Sequence, residues 1–136
     1  MIGKDKQAAR MGLAAHTAVL HKLVSKGLEV LQPLGDHLRY DLEEIGELVR
    51  VQSKAGRYEA AIGCVLFKSF NKTGGRGKRR SYVGDAEYFG VYRAELNTIY
   101  FIPLEKVPSA DEVHLRIQPT KNNQEKKVIW ARDYEI

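Results

Sequence analysis

The chain is poor in the features that staple a protein covalently or route it through a membrane. It has one cysteine in 136 residues. That excludes an internal disulfide framework and fits a reducing compartment. Cys64 lies in the apolar run Ala-Ala-Ile-Gly-Cys-Val-Leu-Phe, which predicts a buried core thiol rather than a nucleophile. No apolar run approaches bilayer length. The opening Met-Ile-Gly-Lys-Asp-Lys-Gln has no apolar signal-peptide core. A cytoplasmic location without a membrane partner is therefore expected. His21 and His37 read as surface groups and His114 as a strand-face residue, and no histidine falls into zinc-ligand spacing. There is no internal repeat and no low-complexity linker, so residues 1–136 are expected to form a single domain around one core.

What the chain does have is positive charge in one place. The net charge is +5, a weak pointer to nucleic acid until its distribution is considered. Lys72, Arg76, Lys78, Arg79 and Arg80 crowd a short glycine-rich stretch, whereas acidic residues are spread through the rest. Hydrophobic residues make up 43%, enough for a globular core.

Hydrophobic spacing predicts a helix from about Asp5 to Lys26, with Met11, Ala15, Ala18, Val19 and Leu23 at three- and four-residue steps and Gly27 as its stop. Short strands are expected at Leu28–Leu31, Tyr40–Glu44 and Glu47–Lys54, with Ala55-Gly56 breaking the third. Tyr58–Phe70 reads as one long apolar strand bent at Gly63, and Asn71–Arg80 as a basic loop. A strand pair, Glu87–Tyr92 and Thr98–Ile102, follows around Ala94–Asn97. Then come a connection over Pro103–Ala110 with a short helical turn, a strand at Val113–Gln118, a polar loop at Thr120–Lys127, and a C-terminal element anchored by Trp130. One helix followed by a mixed sheet predicts an α/β or α+β fold.

The most informative stretch is Asp41 to Lys54. Asp41 heads a predicted hairpin, and Gln52 and Lys54 lie two apart in the next strand. They share one face, and Ser53 points to the other. Folding that face over Asp41 brings a carboxylate, an amide oxygen and an ammonium together, with the Ser53 carbonyl as a further oxygen. Such a group can hold a hard divalent cation, Mg²⁺ or Mn²⁺, beside a phosphodiester.

The chain resembles the PD-(D/E)XK nuclease superfamily, and within it the group I intron-associated homing endonucleases. The resemblance runs nearly end to end, through Arg39-Tyr-Asp41, Leu48-Val-Arg-Val-Gln-Ser-Lys54, Asp85-Ala-Glu-Tyr-Phe-Gly-Val-Tyr92, Ile99-Tyr-Phe-Ile-Pro103 and Ile129-Trp-Ala-Arg-Asp-Tyr-Glu135. It implies an α/β fold with a central mixed β-sheet, flanking helices and a restriction-endonuclease-like core. It makes Asp41 the metal-binding aspartate, puts Gln52 in the slot usually held by Glu or Asp, and makes Lys54 the catalytic lysine. The family's helix glutamate falls at or near His16, and no glutamate occurs in Met1–Lys26. By resemblance His16 acts near the metal, and imidazole favours Mn²⁺ over Mg²⁺.

Double-stranded DNA is the expected partner. Lys72, Arg76, Lys78, Arg79 and Arg80, extended by Arg57, would contact phosphates or guanine edges, with Tyr82 packed beneath the loop. Lys121, Lys126 and Lys127 form a second candidate surface. A module this small reads only part of a site, so a homo-oligomer, dimer or tetramer, is expected. Three alternatives remain at this point: a DNA-binding module without catalysis, a restriction or resolvase-like nuclease, and a small-ligand β-domain.

Overall fold

The structure, a computed structural model, describes residues 3–28, 30–32, 42–44, 49–73, 78–108, 110–120 and 128–136. For residues 31, 42–44, 71–73 and 78–80 it describes the backbone. The chain opens with α1 (Lys4–Ser25). Ala15, Val19 and Leu23 fall at four-residue steps and form its one buried stripe. Met11, grouped with that stripe by its spacing, is 47% exposed, because residues 4–14 of the helix lie outside the packed stretch. The helix ends as its sequence demands. Gly27 takes a φ of 84°, its amide bonds the Val24 carbonyl at 2.9 Å, and the Leu28 amide reaches back to Leu23 at 3.2 Å. This double closure needs the left-handed residue that glycine supplies without strain.

Among the described residues ten strands follow: β1 (Val30–Leu31), β2 (Leu42–Glu44), β3 (Arg50–Glu59), β4 (Cys64–Lys68), β5 (Phe70–Thr73), β6 (Lys78–Ser81), β7 (Tyr88–Arg93), β8 (Thr98–Pro103), β9 (Glu112–Arg116) and β10 (Ile129–Trp130). Eight form one mixed sheet, and β5 and β6 form a separate two-stranded one. The centre is β3. Its residues 51–56 pair in parallel with β7, and its last three pair with β4. Strand β2 lies antiparallel to its start, β8 antiparallel to β7, and β9 between β4 and β10. This is the expected α/β fold with a mixed central sheet, flanked among the described residues by α1. No described helix is long and apolar enough to cross a membrane.

Three boundaries differ from the sequence expectation. Strand β3 runs straight through Ala55 and Gly56 instead of breaking there. Gly56 is required by packing, not by a turn: a Cβ on it would lie 2.8 Å from Val91 Cγ1 and 2.9 Å from Val65 Cγ1. The long strand expected over Tyr58–Phe70 is divided: Tyr58 and Glu59 end β3, a turn leads to β4 at Cys64–Lys68, and Phe70 opens β5. Gly63, with a φ of 64°, closes that turn, its amide bonding the Glu59 carbonyl at 2.9 Å. The basic stretch 71–80 is not a loop along its whole length. Residues 70–73 and 78–81 pair as a β-hairpin in which Lys72 stands opposite Arg79 and Thr73 opposite Lys78.

The sheet carries apolar residues on both faces. Val51 and Ile99 meet Val19 and Leu23 of α1. Gly90 on β7 lets this helix approach, since a Cβ there would fall 2.8 Å from Val19 Cγ1. On the opposite face Val65, Phe67, Phe89, Val91, Ile102 and Leu115 form the main core. Cys64 is buried as expected, and burial pushes its thiol pKa up against the lowering influence of Arg116. Gly56→Ala is expected to cost about 1–3 kcal/mol by overpacking between two buried valines. A urea midpoint equal to that of the parent chain would show that the valines give way freely.

Candidate active site

The register of β3 decides where its polar residues point. Val51 packs under α1, and Ser53 pairs with Gly90, whose missing Cβ faces Val19. Strand alternation therefore sends Ser53 toward the helix and Gln52 and Lys54 to the opposite face. Their partners across the pair are Phe89 and Val91, both in the main core. The shared face expected for Gln52 and Lys54 is thus the one the strand adopts.

Lys54 is held firmly. Its Nζ donates to the Tyr82 hydroxyl at 3.1 Å and lies 4.5 Å from the centre of the Tyr82 ring. Tyr82 is 4% exposed. Its ring meets Phe89 edge-on at 5.8 Å, and Phe89 meets Phe67 at 5.3 Å. Both the phenol oxygen and the ring face favour a positive charge beside them.

Gln52 bends toward its own neighbour, with Nε2 3.5 Å from the Ser53 carbonyl oxygen. Amide oxygen and nitrogen are interchangeable by a half-turn of the group. That half-turn sets Oε1 beside the Ser53 oxygen. Two adjacent neutral oxygens suit a hard cation such as Mg²⁺ or Mn²⁺ better than zinc. Asp41, the expected carboxylate, lies outside the described residues. Among the described residues no three His, Cys, Asp or Glu side chains gather to hold a metal.

His16 sits on α1, with Nε2 3.2 Å from Gln32 Oε1 just past β1. Arg57 lies three residues beyond Lys54 on β3, so alternation puts it on the other face of the sheet. It pairs with Glu112 at 3.2 Å and Glu59 at 4.0 Å. Lys72 lies in β5, and Lys78, Arg79 and Arg80 lie in β6. Arg76 and the second basic stretch at Lys121, Lys126 and Lys127 lie outside the described residues.

Two features escape a reading of the sequence. One is the contact between Tyr82 and Lys54, which are 28 residues apart. No local pattern signals it. The other is the pairing of Glu87 with Arg50, 37 residues away, which clamps the start of β3. Glu87 accepts from Arg50 Nη2 at 3.1 Å, from Nε at 3.1 and 3.2 Å and from the Arg50 amide at 2.9 Å. Burial works to raise the Glu87 carboxyl. The hydrogen bonds and charge of Arg50 outweigh it and hold the pKa below the ordinary carboxylate range. A carboxyl lowered on folding stabilises the protein fully above its unfolded pKa and loses that contribution as pH falls through the folded value. The exposed setting limits the effect to below about 1 kcal/mol. The stability difference between the parent chain and Glu87→Gln is thus expected to be present at neutral pH and to vanish in acid. Urea titrations at both pH values would check this, and a difference that persists or grows in acid would contradict the clamp.

Known proteins share this fold. A family described as PD-(D/E)XK endonuclease matches residues 6–136. Among solved structures, that of a bacterial homing endonuclease, I-Ssp6803I, aligns with 98% of this chain and 89% of its own at 27% identity, with a TM-score of 0.75. A search of curated proteins finds no match to the chain. An end-to-end family match, a mixed sheet of the same fold and a Gln-x-Lys pair projecting from its central strand lead to one conclusion: the chain belongs to the PD-(D/E)XK endonuclease family.

Proposed function

We propose that the chain, as a single domain over residues 1–136, is a metal-dependent, site-specific DNA endonuclease that hydrolyses phosphodiester bonds, of the homing type. The observation that carries this reading is the Lys54 ammonium. It is held against Tyr82 on the same strand face as Gln52, in a chain of this endonuclease family. Asp41, Gln52 and the Ser53 carbonyl would hold one Mg²⁺ or Mn²⁺. The bound ion would supply Lewis-acid stabilisation of the phosphoryl oxygen and a more acidic water.

The chain's own residues do the rest. Lys54 places a fixed positive charge where negative charge builds on the phosphate, or orients the attacking water. His16 lies on α1, which packs on the sheet face away from Gln52 and Lys54, so it would take the place of the helix carboxylate only by reaching a water or a phosphate from across the sheet. The β5–β6 hairpin, with Lys72, Arg76, Lys78, Arg79 and Arg80, would grip the duplex backbone. Arg57 would add to that surface only by giving up its Glu112 pair. A module of this size reads part of a site, so a symmetric homo-oligomer on repeated half-sites is the working form. Light scattering that gives a monomer both free and on DNA would count against that last point.

Incubation of a random duplex library with the protein and Mg²⁺ or Mn²⁺ tests the reading. Cuts concentrated at one sequence family, and abolished by EDTA, are expected. A second reading, a DNA-binding module without catalysis, draws on the histidine that stands in the first helix where the family has a glutamate. Salt-sensitive duplex binding with no metal-dependent cutting in either metal would select it.

A further inference from the structure

Tyr82 is the residue that the nuclease reading leaves unexplained. It is the first residue after β6, so the basic hairpin ends on it. Both feet of that hairpin are rooted in the body of the protein. At one foot Ser69 is buried. Its amide bonds the Asp111 carbonyl at 3.2 Å, and its hydroxyl donates to the Ala110 carbonyl. At the other foot Tyr82 is 4% exposed and packs edge-on against Phe89. A cavity of about 100 Å³ lies between the two feet, lined by Ser69, Phe70, Ser81, Tyr82 and Phe89 among others.

A buried tyrosine needs a hydrogen-bond partner for its hydroxyl. Here a partner is the Lys54 ammonium at 3.1 Å, and the same ammonium lies 4.5 Å from the ring centre. A lysine has four rotatable side-chain bonds and a compact, freely rotating head. An exposed lysine on a strand would sample many positions. One that both donates to a buried phenol and rests against its ring has lost most of that freedom before any substrate arrives. Preorganised charge of this kind stabilises a transition state without reorganisation during the reaction.

We infer that Tyr82 is a positioning residue for Lys54, fixing the ammonium at the point where it meets the scissile phosphate. This rests on the nuclease reading given above. The hairpin proposed to grip DNA therefore ends on the residue that sets the lysine.

Tyr82→Phe tests this cleanly, because it keeps the ring and its Phe89 contact and removes only the hydroxyl. Metal-dependent nicking of supercoiled plasmid under single-turnover conditions is expected to slow about tenfold, the scale of one lost hydrogen bond to a charged group. Affinity for a labelled random-sequence duplex should stay within about twofold, since no phosphate contact is removed. In a Lys54→Ala background the same change should cost nothing more, because both substitutions then remove one interaction. Nicking at the parental rate overturns the inference. So does an equal loss in both backgrounds, which would mark a general structural effect.

A measurement without catalysis separates this inference from the reading beneath it. The ε-methylene protons of Lys54, assigned by their loss in Lys54→Ala, should be shifted upfield in the parent chain by the Tyr82 ring. An unshifted signal shows that the contact is absent in solution and sinks the inference alone. A shifted signal with full nicking by Lys54→Ala shows that the contact exists but the lysine is not catalytic; it removes the inference while the nuclease reading stands.

Discussion

Lys54→Ala is expected to bind duplex DNA nearly as well as the parent chain and to lose metal-dependent cleavage by about 10²–10³-fold or more, the range seen when one preorganised charge-stabilising donor is removed. The argument rests on position. Lys54 lies two residues beyond Gln52 on the same face of the central strand. Its ammonium is pinned by a buried tyrosine, so its charge sits at a defined point. Truncation to alanine removes that charge and opens no core cavity, because the side chain is only half-buried. The rate of nicking and the duplex affinity, measured on one preparation, separate the two effects. A variant that cuts at the parental rate would end the role of this lysine. A variant that neither binds nor folds would show instead that Lys54 is structural. Lys54→Arg keeps a charge but presents a planar, longer head that cannot sit against Tyr82 in the same way. It should bind as the parent does and recover little of the rate.

The second large effect is on stability. Phe89→Ala should cost about 3–5 kcal/mol, the range for deleting a fully buried phenylalanine. Against a total of about 5–15 kcal/mol for a domain, that loss brings the chain close to unfolding at ordinary temperatures. Phe89 is 2% exposed. It stands between the Phe67 ring at 5.3 Å and the Tyr82 ring at 5.8 Å, so its removal takes a ring contact from each. It also pairs with Gln52 across β3 and β7, directly beneath the candidate site. Phe89→Leu keeps most of the volume and should cost less than about 1.5 kcal/mol. Urea melts of the two variants decide the matter. Near-equal midpoints for the alanine variant and the parent would mean that this ring is not where the structure places it.

Much of the site's layout was legible because it depends on short-range rules. The two-residue period of a strand put Gln52 and Lys54 together and turned Ser53 away, and β3 obeys it. Helix closure at Gly27 followed from the residue that takes a positive φ with least strain. Cys64 sits in an apolar run and is buried in the core. Glycines misled where their purpose was packing. Gly56 reads as a breaker yet lies inside a ten-residue strand, because its neighbours across the core leave no room for a Cβ. The glycines between residues 73 and 78 suggested an unpaired loop, whereas the residues flanking them pair across a hairpin.

Local pattern, then, settled the opening helix, the face shared by Gln52 and Lys54 and, through the order of its motifs, the resemblance to an endonuclease family. Chain folding over longer distances settled the partners. Tyr82 meets Lys54 from 28 residues away, Glu87 reaches Arg50 from 37, and β7 lies parallel to β3. None of these can be read from neighbouring residues. Periodicity and capping are properties of a few consecutive residues, while the choice of a partner strand is made by burying apolar surface from the whole chain at once.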